Sequence, residues 1–234
     1  MKAFHLFKEA LRLLNIYKRM SDAEYRHFNR RFYAILQLSE YLYGAQIEGD
    51  YAEFGVYQGT TFSYVFQKLH PLMRTMRFFA FDSFEGLSEP KGIDIDNNFS
   101  SGFYKGQFSC SEAEFKKRIK RKGVDLQKVK TVKGWFDKTL LSGKEKEYDI
   151  KTIAAAYIDC DLYESTVPVL KFITPLLVNG SVILFDDWRC FRNHPDYGQQ
   201  RACREWLEEN QTIKLNHLFN YGWNGIAYTV YFTK

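Results

Sequence analysis

The sequence predicts an α/β fold with a mostly parallel seven-stranded sheet and helices on both faces. From residue 51 onward, short apolar runs alternate with segments whose apolar residues have helical spacing. This alternation is typical of a parallel sheet that is covered on both sides. The last two apolar runs follow each other without a helix between them, which predicts an antiparallel hairpin at one edge.

The individual elements follow from these patterns. Strands are predicted over residues 51–56, 77–81, 129–132, 152–158, 181–185, 213–219 and 226–232. Helices are predicted over residues 60–69, 112–122, 165–177 and 200–208. The polar segment 84–107 has little periodicity and is predicted to be a loop.

The amino-terminal region is predicted to be helical. Residues 4–42 carry apolar side chains at spacings of three and four, which indicates two or three amphipathic helices. Ser21 and Asp22 are plausible N-cap residues at a break between them. We therefore divide the chain into a helical lid or extension, residues 1–46, and an α/β domain, residues 47–234.

Composition and charge limit the classes of function that we expect for this chain. The net charge of +5 over 234 residues is mild, and the basic run at residues 116–122 is typical of the exposed face of a helix. We therefore expect no nucleic-acid or membrane partner. The four cysteines form no C-x-x-C pair, and no apolar run reaches the length of a signal or a membrane span. These features predict a soluble cytoplasmic protein with reduced thiols.

Two predicted strands end in pairs of acids. Asp159 and Asp161 follow the fourth strand, and Asp186 and Asp187 follow the fifth. Because the carboxyl ends of neighbouring parallel strands meet at one edge of the sheet, these carboxylates would repel one another there. A hard divalent cation with oxygen ligands relieves that repulsion. Loop solvation and helix capping are the alternative roles for such acids.

A glycine turn follows the first strand. Its pattern is E-x-G-x-x-x-G, with Glu53 and Gly55 before the helix that begins at Thr60. A dinucleotide pyrophosphate requires G-x-G-x-x-G, so this turn does not predict an NAD-binding site. An acid beside the glycines suits a ligand with a cationic amino group, such as S-adenosylmethionine. The alternative is a glycine turn that serves chain geometry alone.

Two further segments are predicted to lie at the same edge. Asp82 and Ser83 end the second strand, where an acid can accept hydrogen bonds from ribose hydroxyls or cap the next turn. Gly134 and Trp135 follow the third strand, and the indole ring would line an adenine pocket or belong to the core.

Taken in order, these motifs resemble a known family. The stretches that carry the resemblance are E-F-G-V-Y-Q-G, F-D-S-F-E-G-L, K-G-W-F-D-K-T-L, I-D-C-D-L-Y-E-S-T, F-D-D-W and A-C-R-E-W, between residues 50 and 208. They are similar to the macrocin and mycinamicin O-methyltransferases, a group that includes the novobiocin sugar O-methyltransferase. The resemblance implies a Rossmann-like class I methyltransferase that uses S-adenosylmethionine and Mg²⁺ to methylate a sugar hydroxyl.

The resemblance also implies roles for particular residues. The cofactor would be bound by Glu53, Gly55, Thr60, Asp82, Ser83, Gly134, Trp135 and Asp159. The metal ligands would be Asp159, Asp186 and Asp187, and Asp159 or Asp161 would accept the proton. His194 and His217 are weaker candidates for that base. The loop of residues 189–199 is longer than in the macrolide enzymes, so a different acceptor is expected.

Several functions are compatible with these residues. The leading expectation is methylation of a saccharide hydroxyl in a glycosylated natural product or a polysaccharide, with Mg²⁺ activating the acceptor. A catechol-like diol would satisfy the same metal geometry. A metal-independent methyltransferase and a non-catalytic carbohydrate-binding protein are two more functions that the pattern allows. The amino-terminal helices would cover the cofactor or form a homodimer contact.

Overall fold

Seven strands form one sheet in the computed structural model, which describes residues 23–95 and 102–233. The strands are β1 (Asp50–Phe54), β2 (Phe78–Asp82), β3 (Val129–Lys133), β4 (Ile153–Ile158), β5 (Leu177–Phe185), β6 (Ile213–Tyr221) and β7 (Gly225–Phe232). Their order across the sheet is β3-β2-β1-β4-β5-β7-β6. The first five are parallel, and β7 pairs antiparallel with β5 and β6. The predicted sheet and its edge hairpin are confirmed.

Seven α-helices lie in the described part of the chain. They are α1 (Ala23–Gly44), α2 (Thr60–Leu69), α3 (Glu112–Arg121), α4 (Phe136–Thr139), α5 (Lys144–Glu147), α6 (Tyr163–Ile173) and α7 (Gly198–Glu209). Ala23, the first described residue, is already helical, so the break predicted at Ser21 and Asp22 lies outside the described residues. The helices expected before that break lie outside the described residues. Single-turn helices such as α4 and α5 are too short to show a period in the sequence.

The boundary between α6 and β5 differs from the prediction. The predicted helix ran to residue 177, whereas α6 ends at Ile173 and a short 3₁₀ turn, Thr174–Leu176, leads directly into β5. Pro175 lies in this turn and has no N–H to continue the helical hydrogen bonds. As a result β5 starts four residues earlier than predicted.

Side chains alternate across the sheet and build two core layers. On β1, Tyr51 packs in the layer with α1, α2 and α3, whereas Ala52 and Phe54 pack in the layer with α6 and α7. On β5, Leu184 belongs to the first layer and Phe185 to the second. Because successive side chains of a strand point to opposite faces, the residue after Phe185 returns to the α1 face. This register decides which helix the acids after β4 and β5 meet.

The basic run lies on α3, as predicted for an exposed helix face. Phe115 and Ile119 are buried, while Lys116 and Arg118 form ion pairs with Glu112 and Glu114 one turn earlier. All four cysteines are free thiols. In the described ranges, no helix is both long and apolar enough to cross a membrane.

Candidate active site

A cavity of about 670 Å³ opens at the carboxyl edge of the sheet. It lies where the strand order reverses, between β1 and β4, which is the usual ligand site of an open α/β sheet. Every predicted cofactor residue lines it, namely Glu53, Gly55, Thr60, Asp82, Ser83, Gly134, Trp135 and Asp159. Asp161 and Asp187 line it too. The volume is within the range typical of small-molecule sites.

The glycine turn brings the backbone of β1 against the end of β4. Gly55 has a φ of +88°, and a Cβ atom there would lie 1.9 Å from the carbonyl oxygen of Asp159. Gly59, just before α2, has a φ of +70°, and a Cβ atom would collide with Phe115 and Ile119 of α3. Both glycines are therefore required by the geometry of the turn, and the turn also forms one wall of the cavity.

Glu53 is buried at the cavity wall. Its carboxyl oxygen Oε2 accepts a hydrogen bond of 2.6 Å from the Tyr51 hydroxyl, and its exposed fraction is 1%. Burial raises the pKa of Glu53 well above its usual value, with the neighbouring charge of Asp159 acting in the same direction. A cationic group bound in the cavity would favour the ionised carboxylate.

Asp82 links the glycine turn to the end of β2. Its Oδ2 atom accepts hydrogen bonds from the backbone N–H groups of Val56, at 2.7 Å, and Tyr57, at 3.2 Å, and its Oδ1 atom accepts one from Phe84 at 2.7 Å. The Ser83 hydroxyl donates to the carbonyl of Gly86. Asp82 thus has the turn-capping role that the sequence allowed besides ribose binding, and both residues line the cavity.

Gly134 and Trp135 form another part of the wall. Gly134 donates to the carbonyl of Asp82 at 2.9 Å, and its φ of +141° places the chain where a Cβ would meet Thr139. Trp135 precedes the single turn of α4 and is only partly buried. Its ring belongs to the cavity lining and not to the core.

Three carboxylates meet beside the glycine turn. Asp159 follows β4, and Asp186 and Asp187 follow β5; one oxygen of each lies within 4.8 Å of the others. Asp186 is fully buried and its Oδ1 atom accepts a 2.6 Å hydrogen bond from the Tyr157 hydroxyl. The group of three predicted as metal ligands is therefore brought together, and its all-oxygen donor set is the kind that a hard divalent cation prefers.

Asp161 is not one of the three clustered carboxylates, but it lies beside them. Its φ of +62° is left-handed, a conformation that Asp tolerates better than most residues. Its backbone N–H donates to Oδ2 of Asp187 at 3.2 Å, and its side chain lines the cavity. The D-x-D stretch thus supplies one carboxylate to the cluster and a second carboxylate at its border.

A cation from α1 occupies the acid cluster. The Arg31 Nη2 atom donates a hydrogen bond to Oδ2 of Asp186 and lies 3.5 Å from Oδ1 of Asp159. Burial alone would lower the pKa of Arg31. The surrounding charges, Asp159 foremost, raise it by more, so the pKa lies above its usual value and the guanidinium stays protonated. The register of the sheet explains the contact, because Asp159 and Asp186 lie on the face that α1 covers.

One guanidinium does not neutralise four acids. Burial raises the pKa of Asp187 to about 7, with the Asp159 charge adding to the effect, and burial together with Asp187 and Asp159 raises that of Asp161 well above its usual value. Burial also raises the pKa of Asp159, against the opposing influence of Arg31. These shifts mean that the cluster disfavours its full negative charge and would be stabilised by a further positive charge.

Several residues of the site were not predicted from the sequence. Gln199 on α7 accepts from the Asp187 N–H and donates to the Ile158 carbonyl, which fixes the end of β5 to that of β4. The Cys190 thiol donates to Oδ1 of Asp187. Arg31 had one signal in the sequence, because it lies in phase with the buried stripe of α1 that includes Ile35 and Leu38.

The two histidines considered as bases lie elsewhere. His194 is in the loop before α7 and His217 is on β6. Neither is among the residues that line the cavity. The side chains at the turn between β6 and β7 do reach it, since Trp223 and Asn224 form part of its wall.

The fold and this site define the class of protein. The model of the macrocin O-methyltransferase (TylF) family matches residues 28–218. That range includes every residue predicted for the site, together with Arg31. The chain belongs to this family.

Individual relatives are more distant. A tetracenomycin-C 4'-O-methyltransferase from Streptomyces olivaceus is 28% identical over 146 residues, which are 61% of this chain and 54% of that protein. The demethyldecarbamoylnovobiocin O-methyltransferase of Streptomyces niveus is 26% identical over 163 residues, 68% of this chain and 60% of that protein. The matched regions are thus less than two thirds of the length of these relatives.

Solved structures have the same fold. The O-methyltransferase NovP superposes with a TM-score of 0.68 at 23% identity, covering 86% of this chain and 79% of that one. The calicheamicin methyltransferase CalS11 gives 0.70 at 24% identity, covering 87% and 80%. The predicted Rossmann-like fold of class I methyltransferases is confirmed.

Proposed function

We propose that this protein is an S-adenosylmethionine-dependent O-methyltransferase that methylates a hydroxyl of a sugar, with Mg²⁺ held by Asp159, Asp186 and Asp187. One observation carries the proposal. The glycine turn at Gly55 lines the same cavity as Asp159 and Asp187, two of the three clustered carboxylates, so a donor at the turn and a hydroxyl near the acids would meet in one space.

The relatives support a saccharide acceptor. The name of the Streptomyces olivaceus protein specifies a rhamnosyl group on tetracenomycin-C, and the Streptomyces niveus protein is named for a novobiocin precursor. Both names specify O-methyltransferases, and the first of them names a sugar. We therefore assign this chain a sugar hydroxyl of a glycosylated natural product or a polysaccharide as acceptor.

The residues of the cavity fit the cofactor. Glu53 and Gly55 would approach the cationic methionine part, because a buried carboxylate next to a backbone that lines the cavity suits an ammonium group. Asp82 and Ser83 would face the ribose and Trp135 the adenine. Thr60 at the start of α2 and Gly134 after β3 complete the same wall.

The acid cluster fits the metal. Its donor set consists of carboxylate oxygens at the ends of two adjacent strands. When bound, S-adenosylmethionine supplies an electrophilic methyl group and Mg²⁺ supplies a Lewis acid that lowers the pKa of a neighbouring hydroxyl. We assign Asp159 two roles, as a metal ligand and as a residue of the cavity wall that would contact the cofactor.

The proton of the acceptor is assigned to Asp161. Asp161 lines the cavity but stands outside the group of three, so in its ionised form it would be placed to take a proton from a hydroxyl bound there. The wall residues would position the acceptor oxygen against the donor and exclude water, which can provide several kcal/mol, about 7–11 at most. Within the predicted extension of residues 1–46, the described part contributes Arg31 to the wall of this reaction space.

Calorimetry tests the proposal directly. S-adenosylhomocysteine and MgCl₂ are titrated separately into the wild type and into the double variant Asp186→Asn/Asp187→Asn. We expect micromolar binding of S-adenosylhomocysteine to both proteins and a Mg²⁺ signal that the double variant lacks. Asp137→Asn, at an exposed carboxylate on α4, is the matched control and should keep both signals.

Each remaining outcome has a definite meaning. Binding of S-adenosylhomocysteine without any Mg²⁺ signal in the wild type would contradict the metal assignment and leave a metal-independent methyltransferase. Absence of S-adenosylhomocysteine binding would contradict the proposed activity. If both ligands bind, a methyl-transfer assay with a panel of rhamnosides and other glycosides identifies the acceptor, and the product is detected as a mass increase of one CH₂.

A further inference from the structure

Arg31 stands where a metal ion would have to bind. Its Nη2 atom contacts one oxygen of Asp186 and lies 3.5 Å from one oxygen of Asp159, and these are two of the three carboxylates that share the cluster. The other oxygen of Asp186 accepts the hydrogen bond from Tyr157. Both oxygens of Asp186 are therefore engaged, one of them by a charged group.

The Arg31 guanidinium and a divalent cation cannot occupy the same carboxylate oxygen at the same time. Two cations that share one carboxylate oxygen in a buried site repel strongly, since little water is present to screen them. Asp186 has an exposed fraction of 0%, and the Arg31 side chain is 19% exposed. A metal ion bound to the oxygens of Asp159 and Asp186 thus requires the Arg31 side chain to move away.

Arg31 is held mainly by charge. Its Nε atom is buried and has no hydrogen-bond partner among the described residues. An unpaired buried N–H reduces the net stability of the contact. The side chain also borders the cavity, which gives the guanidinium an open path out of the cluster. A competing cation can therefore break the ion pair through a movement of the Arg31 side chain alone.

The rest of α1 is anchored independently of this ion pair. Ile35, Leu38 and Leu42 are fully buried in the core layer that covers one face of the sheet. The Phe32 ring packs on that of Tyr64 in α2, with 4.3 Å between the ring centroids. The helix would thus stay in place from Phe32 onward while the Arg31 side chain leaves the acids.

We propose that Arg31 is the resident counter-ion of the cluster formed by Asp159, Asp186 and Asp187, and that Mg²⁺ binds by displacing it. Arg31 then sets the metal affinity of the site and keeps the carboxylates together when no metal is bound. The inference rests on the proposed function, because it takes the same three carboxylates as the metal ligands. It adds a residue from α1 that determines how tightly the metal is held.

The test compares Arg31→Met with Arg30→Met, an adjacent and exposed position on the same helix. Mg²⁺ alone is titrated calorimetrically into each protein after treatment with a chelator. We expect Arg31→Met to bind Mg²⁺ about tenfold more tightly than the wild type, because one competing positive charge has been removed. Arg30→Met should match the wild type.

Thermal unfolding provides a second measurement that does not depend on activity. In EDTA, Arg31→Met should melt below the wild type, because the buried carboxylates have lost their cation. In excess MgCl₂ the two should melt together, so that Mg²⁺ raises the Tm of the variant more than that of the wild type. Arg31→Lys keeps the positive charge on a different side chain, so its Tm in EDTA should lie between those of the wild type and Arg31→Met. Circular dichroism checks that each variant is folded.

Failure of the inference and failure of the proposed function give different results. If the wild type binds Mg²⁺ but Arg31→Met binds it with the same or lower affinity, the displacement is wrong while the metal site stands. If neither protein binds Mg²⁺, the metal site itself is wrong and the displacement with it. Tighter binding by Arg31→Met and equal melting in MgCl₂ together support the inference.

Discussion

Gly55 and Asp159 approach each other so closely that no side chain fits between them. A Cβ atom on Gly55 would lie 1.9 Å from the carbonyl oxygen of Asp159, and the amide of Asp159 donates to the carbonyl of Phe54 at 2.9 Å. The turn that would bind the cofactor and the first carboxylate of the acid cluster are thus joined backbone to backbone. Their relative position does not depend on flexible side chains.

The first prediction concerns this contact. Gly55→Ala should destabilise the fold by more than about 3 kcal/mol, because the left-handed φ alone costs roughly 1–2 kcal/mol and a clash with backbone adds to it. Gly123→Ala is the control: its φ of +85° is nearly the same as the +88° of Gly55, and nothing lies within 4 Å of its Cβ position. Urea unfolding of both variants separates the cost of the left-handed φ from the cost of the clash with Asp159. Equal losses in the two would show that the contact with Asp159 has relaxed.

The second prediction concerns Gln199. This fully buried side chain accepts from the Asp187 N–H at 2.9 Å and donates to the Ile158 carbonyl at 3.1 Å. Gln199→Leu leaves the Asp187 N–H buried and unpaired, whereas the Ile158 carbonyl keeps the hydrogen bond from the Asp186 N–H at 3.0 Å. We expect a loss of about 1–3 kcal/mol in unfolding free energy. Gln127→Leu, at an exposed position, should change it little. A loss below about 1 kcal/mol for Gln199→Leu would mean that water replaces the amide.

The sequence predicted the parts of the site that depend on strand ends. Asp159, Asp186 and Asp187 could be placed together because neighbouring parallel strands end at one edge, and β4 and β5 proved to be neighbours. Arg31 could not be predicted in the same way. It is separated from Asp186 by 155 residues, and only the packing of α1 on the sheet decides which of its side chains enters the cluster.

Asp94 illustrates the same limit. Helix α6 begins just after the D-x-D stretch, and Leu162 at its N-cap position provides no side-chain hydrogen bond. The carboxylate of Asp94, in the short 3₁₀ helix Gly92–Ile95, caps α6 from a distance in the sequence, accepting from the N–H of Tyr163 at 2.9 Å and of Glu164 at 3.2 Å. Capping patterns in a sequence are local, so a cap from 69 residues away leaves no signal.

The third prediction follows from the titration of Asp94. Burial raises the pKa of Asp94 from 3.8 to about 6. The folded protein therefore binds this proton more tightly than the unfolded chain, so the contribution of Asp94 to stability is largest below pH 3.8 and declines as the pH rises to about 6. Asp94→Asn removes that titration. The unfolding free energy of the wild type minus that of the variant should fall between about pH 4.5 and pH 7.

Urea unfolding at the two pH values provides the measurement. Asp137→Asn removes an exposed carboxylate and controls for a general effect of net charge. A difference that grows with pH would contradict the prediction, because it would mean that the helix amides stabilise the Asp94 anion more than burial disfavours it.

The fourth prediction concerns Tyr157, which orients Asp186. Burial raises the pKa of Tyr157 above its usual value, so its hydroxyl stays protonated and donates to Oδ1 of Asp186 at 2.6 Å. The hydrogen bond leaves Oδ2 as the oxygen that faces a cation, whether Arg31 or Mg²⁺. Partners that orient a metal ligand typically affect affinity by about 10–100-fold. Tyr157→Phe should therefore weaken Mg²⁺ binding about tenfold while S-adenosylhomocysteine binds as before.

The control for Tyr157→Phe is Tyr148→Phe, which also removes one phenol hydrogen bond, in this case to the carbonyl of Thr139. Calorimetric titration of both variants with MgCl₂ distinguishes loss of orientation at Asp186 from a general loss of stability. Equal Mg²⁺ affinity in the wild type and Tyr157→Phe would show that packing alone orients the Asp186 carboxylate. A roughly tenfold loss confined to Tyr157→Phe would show that its hydroxyl keeps Oδ2 of Asp186 turned toward Mg²⁺.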